Sequence, residues 1–469
     1  MASSNNTLIF STEGARALIA RGFTYDAVRR FAQGIADYIA HKYLRSEKPS
    51  VAVGYDRRFM SDRFAMALAE ILAANGINVA VSTSPVPTPA LSLATSRGGY
   101  GLGIMVTASH NDYLYNGIKV KQEGRSAPAN ITAEIENYSS KAVPLKGIKT
   151  GIDRKDFLAD YCEYIENTYQ PRKLLSRIKG KIVVDFMHGS AAEASKLLAA
   201  KNVIFLREKH DPLFGGMAPE PVPANIKDLA DAVKANKAVF GAALDGDGDK
   251  IALVMENGVF LSSCKTAPLL LSHIIGKGKF NGKISQTVSM GYLTKRIARE
   301  ARIPVEETPV GFKYVAEKML HEGASFIAED AGGYSWKGNE PETDGIVSLL
   351  LAAEIALSAK KPLSKVADSI EEKYGKSCYG RRDIDLPKIM ANKHSFAVKV
   401  KKKLPKTILG KKIAETETAD GLKIILDNDW WLLLRPSGTE QKMRAYAETD
   451  NETDTNKLLD LACKLANVK

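Results

Sequence analysis

Short apolar runs of strand length alternate with segments of helical period along this chain, and the alternation starts again more than once. Residues 25–43 have helical periodicity, 49–53 read as a strand, a helix follows at about 63–75, and 79–81 and 101–106 are further strands. Strand and helix in that order predict a layered α/β domain with a largely parallel sheet. The pattern loosens over 127–153, where Pro128, Pro144 and Gly151 are breaks, so a linker and a first boundary near residue 150 are expected. It resumes with a helix at 157–169, a strand at 181–185, a helix at 191–200 and strands at 203–206 and 238–244, and it resumes again from 258 to about 374. Past Gly375 the character changes to a smaller segment containing the strand 430–434. At 469 residues the chain exceeds one core, and about 100 to 150 residues per domain gives three or four domains.

Several of these strands end in loops whose side chains carry chemistry. The run 101–106 leads into Thr107-Ala108-Ser109-His110-Asn111, and the turn Asn116-Gly117 then precedes Ile118-Lys119-Val120. A hydroxyl, an imidazole and an amide thus stand where a buried strand ends, the edge at which α/β proteins bind ligands. A loop whose Ser109 and Asn111 only satisfy backbone groups is the plainer alternative. Residues 238–244 end in Asp245-Gly246-Asp247-Gly248-Asp249-Lys250. Carboxylates at i, i+2 and i+4 with glycines between them curve tightly enough to converge three oxygen ligands, and three like charges call for a cation. A calcium EF-hand does not fit, because Lys250 stands where that loop needs glycine and both flanks read as strands; Mg²⁺, which accepts few protein ligands when a phosphate oxygen adds another, is the expected ion. Glu329-Asp330-Ala331-Gly332-Gly333, after the strand 325–328, has the acid and glycine composition that suits sugar hydroxyls. Arg435-Pro436-Ser437-Gly438-Thr439-Glu440 gathers a guanidinium, two hydroxyls and backbone N–H groups into a phosphate cradle. Nearer the N-terminus, Phe10 to Arg16 places an arginine in a Gly-containing turn, and His188-Gly189-Ser190 reads as a strand-to-helix turn.

Lys and Arg number 66 against 54 Asp and Glu, a net charge of +12, which fits an anionic substrate. No nucleic-acid motif accompanies that charge, and the basic run from Lys399 to Lys406 is expected on a solvated face or loop. The four cysteines, at 162, 264, 378 and 463, form no CxxC pair, which implies neither a disulfide framework nor a zinc site. No signal peptide is read at the N-terminus, and the longest apolar segment, 347–356, is too short to span a bilayer, so a cytoplasmic location without membrane attachment is expected.

Assembled, these loops resemble the α-D-phosphohexomutases, the phosphoglucomutase/phosphomannomutase family and within it most closely phosphoglucomutase, over nearly the full length. The resemblance rests on Thr107 to Asn111 with Asn116 to Lys119, on Asp245 to Lys250, on Glu329 to Gly333, and on Arg435 to Glu440 with Lys442 and Arg444, in the family's order. It implies a four-domain, heart-shaped α/β architecture, with three similar layered domains and a smaller C-terminal α+β domain around a central cleft. Those domains would span 1–150 with the phosphoserine loop, 151–256 with the metal loop, 257–374 with the sugar loop and 375–469 with the phosphate loop.

The resemblance further implies that Ser109 is the phosphoserine, and that Asp245, Asp247 and Asp249 hold Mg²⁺ with the phosphoserine supplying another ligand. Arg16 and Lys119 would be the basic pair beside the serine, with His110 flanking it. Glu329, Gly311 and Lys313 would contact the sugar, and Arg435, Ser437, Gly438 and Thr439 would clamp the substrate phosphate. Lys250 stands where the family usually has arginine, Ala331 where serine is usual, and Thr343 where many glucose-type members carry lysine. The implied reaction is reversible phosphoryl transfer between C1 and C6 of a hexose phosphate through a hexose 1,6-bisphosphate, with glucose 1,6-bisphosphate as activator. Gly332-Gly333 and Val310-Gly311-Phe312-Lys313 point to glucose 1-phosphate and glucose 6-phosphate, with mannose or glucosamine phosphate as the alternative. Hexose phosphates are the expected partners, and the chain is expected as a monomer or homodimer. The contrasting class is a sugar-phosphate-binding scaffold that has lost its chemistry.

Overall fold

The fold is that of a computed structural model, which describes residues 8, 10–11, 14–43, 49–148, 150–278, 280–390, 392–437 and 441–466. The chain forms two compact units, Met1–Leu261 with Gly332–Leu363, and Ser262–Ala331 with Ser364–Lys469.

The first unit holds two sheets. In the larger, the strands Ile152–Lys155, Val79–Ser82, Val51–Tyr55 and Leu102–Val106 are parallel neighbours, followed by antiparallel Tyr115–Gln122 and Gly14–Leu18. Val51–Tyr55 and Leu102–Val106 are buried along their whole length, as near-continuous apolar strands covered on both faces should be. The helix Tyr25–Lys42 shows why this domain folds locally. Thr24 Oγ1 accepts from the amide of Ala27 at 3.2 Å, Asp26 lies in the first turn, and His41 and Lys42 lie in the last. Its Val28, Phe31, Ile35 and Ile39 recur at helical spacing and enter the same core as Val53, Leu68 and Ile104.

In the second sheet Val203–Leu206, Ile182–Asp185 and Phe240–Leu244 are parallel, and Ile251–Met255 returns antiparallel to Phe240–Leu244. The expected helix 157–169 is present as Phe157–Tyr169, its start set by Asp156, whose side chain accepts from the amide of Ala159.

Three expectations need correction here. Arg16 lies in a strand, Gly14–Leu18, which contains the glycine as well, and pairs with Gly117. The loose stretch 127–153 is not a linker: it contains the helix Ala129–Lys141, and the strand Ile152–Lys155 joins the first sheet beside Val79–Ser82. The segment after His188-Gly189 winds as a 3₁₀ helix, Ser190–Leu198; the amide of Ser190 is tied to the carbonyl of Gly246 at 3.0 Å, which sets its entry.

The second unit holds the parallel strands Val305–Thr308, Lys283–Thr287 and Ala324–Glu329. It also holds an antiparallel sheet in the order Cys378–Asp385, Lys442–Thr449, Trp431–Pro436, Leu422–Leu426, Lys411–Glu417, Thr407–Ile408. Trp431, Leu433 and Tyr446 lie in one core with Val288 and Tyr292. Buried Glu448 accepts from Trp431 Nε1 at 2.7 Å and from the amide of Tyr292 at 2.8 Å, joining the two parts of this unit through a satisfied polar group. The lysines 399, 401, 402, 403 and 406 are exposed, as expected of a solvated face. Among the described residues, no helix is long and apolar enough to cross a membrane.

Candidate active site

Two buried strands of the first unit deliver the central groups. Leu102–Val106 ends at the Thr107 loop, and Phe240–Leu244 ends at Asp245. The loop from Asp245 to Lys250 closes on itself: Asp245 Oδ1 accepts from the amides of Asp249 at 3.0 Å and Lys250 at 3.1 Å, and Gly248 takes φ +71°. That conformation suits glycine because it has no Cβ to clash. A Cβ on Gly246 would sit 2.3 Å from the carbonyl oxygen of Ser109, so this glycine is what lets the two loops touch.

Contact between the loops is direct. Ser109 Oγ donates to Asp245 Oδ2 at 2.8 Å, and His110 Nδ1 lies 3.4 Å from the same hydroxyl. Arg16 Nη1 donates to Asn111 Oδ1 at 2.7 Å, which brings Arg16 to the serine loop as expected. Lys119 Nζ bridges Asp247 Oδ2 and Asp249 Oδ2, each at 2.6 Å. Lys250 Nζ lies 2.8 Å from Asp249 Oδ1 and 3.5 Å from Ser109 Oγ. Every sequence-predicted residue of the phosphoserine and metal loops therefore falls in one cluster, and of those named here all except Arg16, His110 and Asn111 are buried.

Three carboxylates face two ammoniums here, and the balance is uneven from residue to residue. Burial, together with Asp249 and Asp247, holds the Asp245 carboxyl well above the usual carboxylate range. Burial acts the same way on Asp249, but Lys119 and Lys250 outweigh it and bring that carboxyl well below the range. Burial also works against the charge of Lys119, yet Asp247 and Asp249 keep its pKa raised. One oxygen of each aspartate lies within 4.8 Å of the others, and Asp247 Oδ1 is buried with no hydrogen-bond partner. An all-oxygen donor set with one orphaned carboxylate oxygen and a charge excess fits a hard divalent cation.

The second unit carries the remaining expected groups. Glu329, 2% exposed, ends the strand Ala324–Glu329, and Arg435, 5% exposed, lies near the end of Trp431–Pro436. Gly311 takes φ +134° directly before the helix Phe312–His321, which carries Lys313. Burial lowers the pKa of that lysine, and its ammonium lies 5.2 Å from the Tyr314 ring centroid. Ser437 is described and buried, whereas Gly438 and Thr439 lie outside the described residues.

Sequence reasoning missed two residues that organise these loops. Asp420 Oδ2 accepts from Arg435 Nε at 2.6 Å and from the amide of Val310 at 3.1 Å, and Asp420 Oδ1 pairs with Lys393. The Asp420-Gly421 dipeptide, with Gly421 at φ +106°, had the same acid and glycine signature as the loops already singled out. Arg58, in the first unit, grips the serine loop from beneath. One apparent sugar signal has a packing explanation instead. A Cβ on Gly332 would meet the carbonyl of Ile251 at 2.4 Å, and the amide of Ile251 donates to the carbonyl of Gly332 at 3.0 Å. Gly332 is thus accounted for by close backbone approach, which removes it as evidence for glucose.

Models of the phosphoglucomutase/phosphomannomutase domains match the chain in order: α/β/α domain I over residues 7–144, domain II over 159–258, domain III over 264–374 and the C-terminal domain over 387–464. A relative from Methanothermobacter thermautotrophicus, named a probable phosphoglucosamine mutase, is 30% identical over 454 residues, covering 95% of this chain and 94% of its own. A phosphoglucomutase/phosphomannomutase from Thermococcus kodakarensis is 28% identical, with 97% and 98% covered. A crystal structure from Thermus thermophilus, named for phosphomannomutase, superposes with a TM-score of 0.84 at 29% identity and 98% coverage of both chains. With four family domains matched in sequence and the serine and carboxylate loops in contact, the chain belongs to the phosphoglucomutase/phosphomannomutase family of phosphohexomutases, isomerases that act by intramolecular phosphoryl transfer.

Proposed function

We propose that this protein moves a phosphoryl group reversibly between C1 and C6 of a hexose phosphate by way of Ser109 and a hexose 1,6-bisphosphate, with glucosamine phosphate as the leading sugar. The observation that carries the reading is the 2.8 Å contact between Ser109 Oγ and Asp245 within the buried carboxylate cluster.

In the forward half-reaction the bond from Ser109 Oγ to phosphorus breaks as a sugar hydroxyl oxygen bonds to phosphorus, and the proton of that hydroxyl ends on the released Ser109 Oγ. The second half-reaction returns the other phosphate to the serine. Uncatalysed cleavage of phosphate monoesters is so slow that enzymes accelerate it by up to ~10²¹, and the acceleration rests on positioning and charge. Mg²⁺, held by Asp245, Asp247, Asp249 and the phosphoserine, would neutralise charge on the transferred group. Lys250 and Lys119 add positive charge that cannot drift, because each is fixed on an aspartate. Arg16 orients Asn111, and His110 sits beside the reacting oxygen. In the second unit, Asp420 presets Arg435 for a phosphate and ties it to the Val310–Lys313 segment, while Glu329 offers an acceptor for sugar hydroxyls; Ser437, Gly438 and Thr439 are assigned to the phosphate on their sequence alone. Four domains remain the working division, with boundaries near 256 and 374 and the first, expected near 150, moved past the strand Ile152–Lys155 that completes the first sheet.

Glucosamine is placed ahead of the glucose expected from the loop sequences because the Methanothermobacter relative and a Carboxydothermus hydrogenoformans relative, 29% identical over 466 residues, are both named for phosphoglucosamine. Mannose or glucose phosphate is the second reading, favoured by the names of the Thermococcus and Thermus proteins. The test is kcat/KM on glucosamine, glucose and mannose 1-phosphates with the matching bisphosphate as activator. Highest kcat/KM on the amino sugar is expected, and Ser109→Ala should fall to background on all three. Normal turnover by that variant would overturn the proposal.

A further inference from the structure

Arginine is seldom enclosed in a protein unless its donors are matched, and Arg58 is 3% exposed. Its guanidinium is matched almost entirely to one loop. Nη2 donates to the carbonyls of Ser109 at 2.6 Å and Asn111 at 2.5 Å, and Nη1 donates to those of Asp112 at 2.6 Å and Tyr115 at 3.1 Å. Nε faces Asp56 Oδ2 at 3.2 Å, and the guanidinium carbon lies 4.8 Å from the centroid of the Phe214 ring. Only a planar fork can reach four carbonyls in this way; an ammonium is a point donor on a flexible stem.

The other side of the same grip runs through Asp56. Its carboxylate accepts from the amide of Arg58 at 3.0 Å, from Ser61 Oγ at 2.8 Å and from Thr107 Oγ1 at 2.6 Å, and Thr107 Oγ1 in turn accepts from the amide of Ser109 at 2.9 Å. Ser109 is therefore anchored at its N–H through Thr107 and at its carbonyl through Arg58. Between the anchors it holds φ +53°, a left-handed conformation that L-residues with a Cβ avoid unless the surroundings enforce it. That enforced backbone is the one in which Oγ meets Asp245 at 2.8 Å.

We propose that Arg58 is a positioning residue for phosphoryl transfer: it clamps the loop 109–115 so that the Ser109 hydroxyl stays aimed at the carboxylate triad. The proposal rests on Ser109 being the phosphoryl carrier. In the loading step the bond from phosphorus to a bisphosphate oxygen breaks, the bond from phosphorus to Ser109 Oγ forms, and the serine proton ends on the released sugar oxygen. Arg58 is enclosed and spends its donors on backbone, so it governs how often the hydroxyl is aligned and leaves sugar affinity alone.

The test compares wild type, Arg58→Lys and Arg58→Ala in the full chain. Loading of Ser109 from glucose 1,6-bisphosphate is followed by intact-protein mass, alongside kcat, KM and thermal melting. Arg58→Lys should load and turn over about 100-fold more slowly, as a displacement near 1 Å can impose, with KM changed less than about twofold. Added guanidinium ion should restore about tenfold to Arg58→Ala, a rescue that general loosening of the fold would not give. Should both variants prove insoluble, Asp56→Asn, which keeps Arg58 but weakens its ionic anchor, should slow loading in the same direction. Wild-type loading rates per folded molecule in Arg58→Lys, or in Asp56→Asn where it is the variant read, would overturn the clamp while leaving the functional proposal standing. A wild-type protein that never gains a phosphate at Ser109 would overturn the functional proposal and the clamp with it.

Discussion

Lys119 sets the electrostatic balance of the serine and carboxylate cluster, because among the described residues it is the lysine that bridges two of the three aspartates. Removing one partner from a buried ion pair leaves the other charge unpaired and costs about 3 to 5 kcal/mol. Lys119→Met, which keeps the stem and deletes the charge, should therefore lower stability by roughly 3 kcal/mol in EDTA. A bound divalent ion would take over part of that compensation, so the loss should shrink in millimolar Mg²⁺. Melting curves under both conditions decide it, and equal losses would argue against a cation among Asp245, Asp247 and Asp249. Gly246→Ala is a steric counterpart. Its Cβ would lie 2.3 Å from the carbonyl of Ser109, and relief of such an overlap should cost about 1 to 3 kcal/mol and separate the two loops. Activity should fall further than stability in that variant, measured as kcat per folded molecule. At this scale the sequence was most informative where residues close in the chain act together, as the aspartates of the metal loop do. Arg58 and Asp420 escaped notice because each works on partners tens to more than a hundred positions away, and a lone arginine or aspartate in the sequence does not announce them.

At the scale of elements, strands and helices with strong periodicity could be read directly. The helix 157–169 has the limits its pattern predicts, and the fully apolar strands 102–106 and 240–244 have no solvent face to blur their signal. The strand carrying Arg16 was legible only as a turn, since five residues beginning at a glycine show no period, and pairing with Tyr115–Gln122 makes it a strand. Ile152–Lys155 is mostly exposed and charged, so its place beside Val79–Ser82 comes from backbone pairing that composition does not encode.

The helix Gly345–Ala359 shows an element whose start carries a titration. Asp344 caps it by accepting from the amide of Val347 at 3.0 Å and also accepts from Tyr161 Oη at 2.9 Å. Burial pushes its carboxyl up to about 6, from an ordinary value of 3.8. A raised folded-state value means the carboxyl is better tolerated neutral. Its stabilising contribution is thus complete below about pH 4 and is lost as pH rises through about 6. The loss should be on the order of 3 kcal/mol. Asp344→Asn, whose amide oxygen can still accept both hydrogen bonds, should flatten stability across that window. A wild-type pH profile unchanged by the substitution would exclude Asp344 as its source.

Across the whole molecule, two compact units with separate cores hold different parts of the proposed site. The Ser109 loop and the three aspartates lie in Met1–Leu261 with Gly332–Leu363, while Glu329, Lys313 and Arg435 lie in the other unit. A ligand stabilises the structure it binds by RT ln(1 + [L]/Kd), about 2.7 kcal/mol at a hundredfold excess over Kd. Mg²⁺ held by the aspartates should therefore slow opening of Leu102–Val106 and Phe240–Leu244, the strands that end at the site. It should leave Trp431–Pro436 and Lys442–Thr449, whose core contains Trp431 and Tyr446, unchanged. Hydrogen exchange read peptide by peptide in EDTA and in Mg²⁺ separates these outcomes, because the ion alone carries no sugar to engage the second unit. Protection confined to the first unit is expected. Equal protection in both would mean that the ion acts on the chain as a whole, and no change in either would mean that Lys119 already satisfies the carboxylates without a metal.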